Sequence, residues 1–267
     1  DSHNSNPGDV EEWDFPGAIG AVTSSAARRL RPTPEALAPY KTIIKFNTSG
    51  GLAAVWAPEN TREAIFDALA RRETYATSGP RMAVRFYAGW DINAELSDKP
   101  EALELLRQNA TPMGGVLRPN ANQQSSPGFF VWATSDPLDA PLQRVQMIKG
   151  WIDSDGNTQE KVVDIACGDN LTVDPATGRC PDNGASVDLT TCGISKDVGA
   201  SELKTVWYDP DYNPSQGAFY YTRVIMNPTC RWSSYDAIRL GREPDPRTPA
   251  TIRERAWSSP IWLDPEN

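Results

Sequence analysis

Histidine is almost missing from this chain: in 267 residues there is one, His3. A self-contained zinc or iron centre draws on several imidazoles, so these residues alone cannot build one. Cysteine is scarce as well, at four, and no two stand as Cys-x-x-Cys, which sets aside a structural zinc site. No apolar run approaches the ~20 residues that span a bilayer, so no membrane span is expected. Positive charge is outweighed, with 26 Lys and Arg against 35 Asp and Glu for a formal charge of −9. A nucleic-acid partner, which is held by neutralising phosphates, is therefore not expected. A Gly-x-Ser-x-Gly elbow, a phosphate-binding loop and a dinucleotide fingerprint are all absent. So are an initial Met and a signal-like apolar stretch, and the reading is a processed product or a piece of something longer.

Hydrophobic residues at 39% and charged residues at 23% are ordinary for a folded domain. The length suits one large domain or two modest ones. Residues 1–40 are rich in Pro, Gly, Ser and Asp, with room for a short helix over 24–30. From Gly51 the pattern sharpens. Leu52-Ala-Ala-Val-Trp-Ala57 is apolar without alternation, as in a strand buried on both faces. Pro58 ends it, and Thr61 is a good N-cap for a helix over 62–72 that sets Ala64, Ile65, Ala68 and Leu69 on one face. With a short strand over 74–77, this reads as one unit of an α/β layer.

After Pro80 the period changes to two. Stretches 82–87, 128–134, 142–151, 161–166, 203–208, 218–226 and 258–263 read as strands between Gly, Pro, Asp and Asn clusters, with one helix over 100–107. Within them, 144–151 and 219–225 alternate polar and apolar, so each is expected to bury one face, as in an antiparallel β-sandwich. The fold class is α+β, with domains over 1–80 and 81–267.

The cysteines, Cys167, Cys180, Cys192 and Cys230, lie in the turn-rich second half, and four allow three pairings. Cys167 and Cys180 flank the turn-rich stretch over 168–178 that a bridge would pin, which leaves Cys192 with Cys230. Two disulfides imply an oxidising compartment, periplasmic or extracellular; the competing reading is four buried thiols.

Several motifs carry a chemical reading beside a plain one. Asp1-Ser-His3 is Asp-x-His, and alternate residues of an extended segment project to one side, where a carboxylate and an imidazole can share an ion. Alone it is as readily a chance pair at a solvated terminus. Glu11 and Glu12 are near enough in sequence to orient His3 or accept a proton. Asp153-Ser-Asp-Gly-Asn157 has its glycine at the wrong position for a calcium loop and reads as a hairpin turn. Asp209-Pro-Asp-Tyr-Asn-Pro214 reads as turn chemistry too. The nine tryptophans would line a sugar groove in one reading, and serve as core and inter-sheet packing in the other.

Three stretches taken together carry a resemblance. They are Asp1-Ser-His-Asn-Ser-Asn-Pro-Gly-Asp-Val-Glu-Glu-Trp-Asp14, the run from Gly51 through Thr77-Ser-Gly-Pro-Arg81, and Ala218-Phe-Tyr-Tyr-Thr-Arg-Val with Asn227-Pro-Thr-Cys-Arg-Trp232 and Glu254-Arg-Ala-Trp-Ser-Ser-Pro-Ile-Trp262. The chain closely resembles the C-terminal part of a bacterial family designated domain of unknown function 3604. That family is similar to the PHP (polymerase and histidinol phosphatase) metal-dependent hydrolases, in which a distorted α/β barrel carries a metal site at the C-terminal ends of its strands. The resemblance implies that residues 1–80 are the end of such a barrel and that its last ligand motif falls on Asp1 and His3. The other ligands, a His-x-His, a Glu and a His, would lie upstream, in the missing N-terminal part of the same protein or a companion chain. Arg81 and Tyr75 would face that site, or else cap and pack the helix end.

Two classes of function follow. The first is the C-terminal portion of a secreted, metal-dependent hydrolase acting on an ester or phosphoester of a small-molecule substrate, with zinc, manganese or iron held jointly with ligands outside this chain. The second is a non-catalytic β-sandwich that binds or supports, with the barrel remnant inactive.

Overall fold

In the computed structural model, which describes residues 5–31, 48–119 and 125–265, the chain opens with α1 (Ala26–Arg29), β1 (Leu52–Val55), α2 (Arg62–Ala70), β2 (Thr74–Thr77) and β3 (Ala83–Gly89). It continues through α3 (Ala102–Asn109), β4 (Thr111–Pro112), β5 (Val116–Leu117), β6 (Gly128–Thr134), β7 (Leu142–Ile152) and β8 (Thr158–Cys167). Then come β9 (Val187–Asp188), β10 (Gly193–Ile194), β11 (Glu202–Tyr208), β12 (Ala218–Met226), β13 (Thr229–Cys230), α4 (Trp232–Arg239), β14 (Thr251–Ile252), β15 (Arg255–Ser258) and β16 (Ile261–Leu263).

Two mostly antiparallel sheets carry the core. The smaller has the order β11-β6-β3-β4. In the larger, β12 is central: β7 and then β8 extend one side, and β15, β2 and β1 extend the other. β16 follows β15 along the same edge of β12 and pairs in parallel with β5. The period of two explains the packing. Val84, Phe86 and Ala88 of β3 and Phe129, Val131 and Ala133 of β6 face Val145 and Met147 of β7 and Tyr220 and Val224 of β12. On the other side of the smaller sheet, Tyr87 and Phe130 pack against Ile92, Leu96 and the apolar stripe of α3, Ala102 and Leu106. β6 is therefore buried on both faces, which is why it reads as an unbroken apolar run.

Within the second half, 128–134 and 218–226 are strands with the expected bounds, and the others shift by one to three residues. The stretch 258–263 is two strands, divided where Pro260 has no N–H to give. Both disulfides pair as expected, Cys167 with Cys180 and Cys192 with Cys230. Thr61 caps α2 through its hydroxyl, which accepts from the Ala64 N–H at 3.3 Å.

Other expectations need correction. β1 is an edge strand with its residues half-buried or exposed; α2 turns Ala68 inward and leaves Phe66 and Leu69 in solvent. β1 and β2 pair antiparallel, and β2 joins β15, so residues 51–77 extend the larger sheet, and no barrel closes among the described residues. β7 buries both faces, since Gln146 and Lys149 are sealed in with partners, Asp164 at 2.6 Å and Asp209 at 2.6 Å. A second helix in this half, α4, was not expected; it is short, and two serines dilute its helical signal. Among the described residues no helix is long and apolar enough to cross a membrane.

Candidate functional site

The three stretches behind the resemblance meet at one place, where the N-terminal arm lies against the larger sheet and α4. Gly79 makes the approach possible. Its φ is +151°, and a Cβ there would stand 2.7 Å from the Val10 carbonyl oxygen, so only glycine lets the arm lie this close. Two residues on, Arg81 grips the arm. Its guanidinium pairs with the Glu11 carboxylate and donates to the Gly8 carbonyl at 3.1 Å, while its backbone N–H donates to Asp136 at 2.7 Å.

Glu12 points inward. It is buried, and its two oxygens accept from the Ser49 hydroxyl, at 3.1 Å, and from the Trp232 N–H. Trp232 opens α4, whose N-cap, Arg231, gives no side-chain bond to the orphan N–H groups. A carboxylate from the far end of the chain takes that place, where the helix dipole favours negative charge. Burial raises the Glu12 pKa, opposed by those hydrogen bonds and by Arg231. Farther along the arm, Arg29 forms a two-pronged pair with Asp236 of α4, at 2.6 and 2.7 Å, and its guanidinium lies 5.6 Å from the Phe15 ring centre.

Beside Glu12 sits a carboxyl that nothing in the sequence singles out. Glu254 is 1% exposed. One oxygen accepts from the Ser78 hydroxyl, and the other has no hydrogen-bond partner among the described residues. Burial, with the like charges of Glu12 and Asp139, pushes its pKa up to about 8. At neutral pH it holds its proton, which makes it a donor rather than a charge. Asp139 is raised by burial, and the Tyr235 hydroxyl is raised by burial, Asp139 and Glu12.

Asp1 and His3 lie outside the described residues. Glu11, Glu12 and Arg81 come together, but their polar atoms are spent on one another, on Ser49 and on the backbone. Tyr75 belongs elsewhere: it sits 5.8 Å from the Trp56 ring and close to Arg85. Among the described residues no group of three or more His, Cys, Asp or Glu could hold a metal ion. Asp153 closes the expected hairpin turn by accepting from Asp155 and Asn157 N–H at 3.0 and 2.8 Å. Asp209 does more than shape a turn: it is buried, with Lys149 at 2.6 Å and the Tyr220 hydroxyl at 2.8 Å. Of the tryptophans, Trp232 is buried in the arm's dock, whereas Trp151 and Trp262 line an open cleft of about 640 Å³ with Phe219, Gln159 and Glu160.

The model of a family described as "Protein of unknown function (DUF3604)" matches residues 1–265. No curated protein and no solved structure matches the chain.

Proposed function

The chain belongs to the DUF3604 family, and from that premise we propose that it is the C-terminal portion of a periplasmic or extracellular metal-dependent hydrolase of PHP-like type, cleaving an ester or phosphoester of a small molecule. One observation carries the reading: the arm that follows Asp1 and His3 is built into the folded body. Arg81 holds the Gly8 carbonyl and Glu11, and Glu12 is tied to Ser49 and α4. A ligand pair at 1 and 3 therefore leads into a point the fold holds fixed. An Asp oxygen and a neutral imidazole suit zinc, manganese or iron, so the donor chemistry fits. Two donors cannot complete a four- to six-coordinate ion, and the rest come from the missing N-terminal part of the protein or a companion chain. The chemistry such an ion supplies is a hydrolytic nucleophile near neutral pH and polarisation of the scissile group. Glu11 and Glu12 serve here as anchors that orient the arm, and Arg81 as its clamp. The two disulfides support the oxidising compartment.

Elemental analysis of the complete protein, with hydrolysis of nitrophenyl phosphate and nitrophenyl acetate, tests this. His3→Ala is expected to lose metal and at least about a hundredfold in rate, the scale of losing a ligand or its support. Full metal and full rate in that variant remove the reading. The cleft of about 640 Å³ lined by Trp151, Phe219 and Trp262 supports a second one, a binding module without catalysis. Binding by the isolated chain, with no hydrolysis by the complete protein, would favour it.

A further inference from the structure

A smaller cleft has a chemistry unlike the rest of this acidic molecule. At the edge of the smaller sheet, Arg85 and Tyr87 of β3, Arg107 of α3, and Trp56, Arg71 and Glu73 from the β1–β2 segment line a space of about 240 Å³. Three guanidinium groups meet one carboxylate there, in a chain of formal charge −9. That carboxylate is engaged: Glu73 lies 3.5 Å from Arg71.

Arg85 is held in place without using its donors. Its guanidinium carbon lies 3.4 Å from the centre of the Trp56 ring. The indole is itself fixed, its N–H donating to the Val84 carbonyl at 2.8 Å, with Tyr75 beside it. Stacking occupies the face of a guanidinium and leaves its N–H groups free in the plane. Among the described residues the guanidinium groups of Arg85 and Arg107 have no hydrogen bond and no ion pair. Tyr87 is 2% exposed and lines the cleft, and its hydroxyl likewise has no hydrogen bond among the described residues. Like charges gathered in one cleft repel one another, and one bound anion relieves that.

We propose that this cleft binds a tetrahedral oxyanion, phosphate or sulfate, either free or as the ester group of a small molecule. Arg85 is the anchor, presenting the fork that matches two oxygens of such a group. Arg107 supplies a second charge, and Tyr87 a neutral donor.

Calorimetric titration of the full chain at low salt with inorganic phosphate, inorganic sulfate, glycerol phosphate and acetate tests the proposal. Phosphate or sulfate is expected to bind saturably by about 10 mM, with acetate at least about tenfold weaker. Arg85→Met and Arg107→Met are each expected to weaken binding about tenfold or more, the scale of one charge-assisted hydrogen bond. Arg85→Lys, which keeps the charge and loses the fork, is expected to weaken it too. Arg72→Met is the control, because Arg72 donates to the Gly114 carbonyl at 3.0 Å and lies outside the cleft. Tighter binding of glycerol phosphate than of phosphate assigns the site to esters, and equal or weaker binding to the free ion. No saturable binding, acetate equal to phosphate, or Arg85→Met and Arg107→Met both matching Arg72→Met overturns the proposal; unchanged thermal unfolding of Arg107→Met excludes misfolding as the cause of a loss.

Discussion

The sandwich and the arm that docks on it are held by different physics. Between the sheets the contacts are apolar and ringed by more of the same: Phe129 is fully buried, 4.4 Å from the Tyr220 ring and 6.1 Å from Phe86. The arm buries Val10 and Phe15, but what ties it down is charge: Glu11 to Arg81, Glu12 to the start of α4, Arg29 to Asp236. Apolar burial is nearly indifferent to pH and distributed over many neighbours. A buried ion pair is indifferent to neither protonation nor the loss of one partner. The two regions should therefore fail under different treatments, and one should be detachable without the other.

Breaking the sandwich has the largest expected effect. Phe129→Ala should cost about 3–5 kcal/mol of global stability, from lost transfer energy and the cavity left behind. A fall in denaturant midpoint with unchanged slope is the expected readout, and an unmoved midpoint would show that the core is not where the stability lies.

Asp236→Ala should release the arm and leave the sandwich folded. The cost is about 2–3 kcal/mol, below that of stranding a charge in a core, because the freed Arg29 can swing into water with the arm. Trypsin should then cut after Arg28 or Arg29 at least about tenfold faster, at nearly the same thermal unfolding temperature. Equal cutting in variant and parent would mean that the arm is held by something other than this pair.

A third treatment sharpens the contrast through pH. Glu254 has a folded pKa of about 8, above the 4.5 of the free carboxyl, so the folded state binds a proton that the unfolded state has lost. Its contribution is complete below about pH 4.5 and falls away as pH rises towards 8, by at most about 1.4 kcal/mol per unit. Proteolysis of the arm should accelerate from pH 6 to pH 8.5, and Glu254→Gln, neutral throughout, should flatten that dependence. A variant as pH-sensitive as the parent would remove Glu254 as the source.

What the amino-acid order discloses follows the same division. β6 and β12 are legible because alternation and apolar content are local, and their flanking Gly and Pro mark the ends. α2 is legible from Thr61, and the disulfide partners from the turns they pin. α4 is hidden because Trp232-Ser-Ser-Tyr-Asp-Ala-Ile-Arg239 is short and its cap comes from Glu12, 220 residues away. β1 misleads because an apolar run looks the same at an edge as at a centre; only the exposed Phe66 and Leu69 of α2 tell them apart. At the candidate site, Glu11, Glu12 and Arg81 are visible by type, yet nothing nearby says that they will bind each other and the backbone. Glu254 is silent altogether, since a carboxyl becomes a neutral acid through burial, a property of the folded body.

Distance along the chain also sets an order in time. Arg29 and Asp236 are 207 residues apart, so during synthesis at about 5–20 residues per second the first waits roughly 10–40 s for the second to be made. Over that interval Glu12 has Ser49 but not α4, and Arg29 lacks its carboxylate, while β6 and β7 can already be finding partners. The seam between the arm and α4 thus closes late, although Arg29 is made well before either sheet. A nascent chain halted before residue 232 should leave the arm open to protease at Arg29, and one released after residue 263 should protect it.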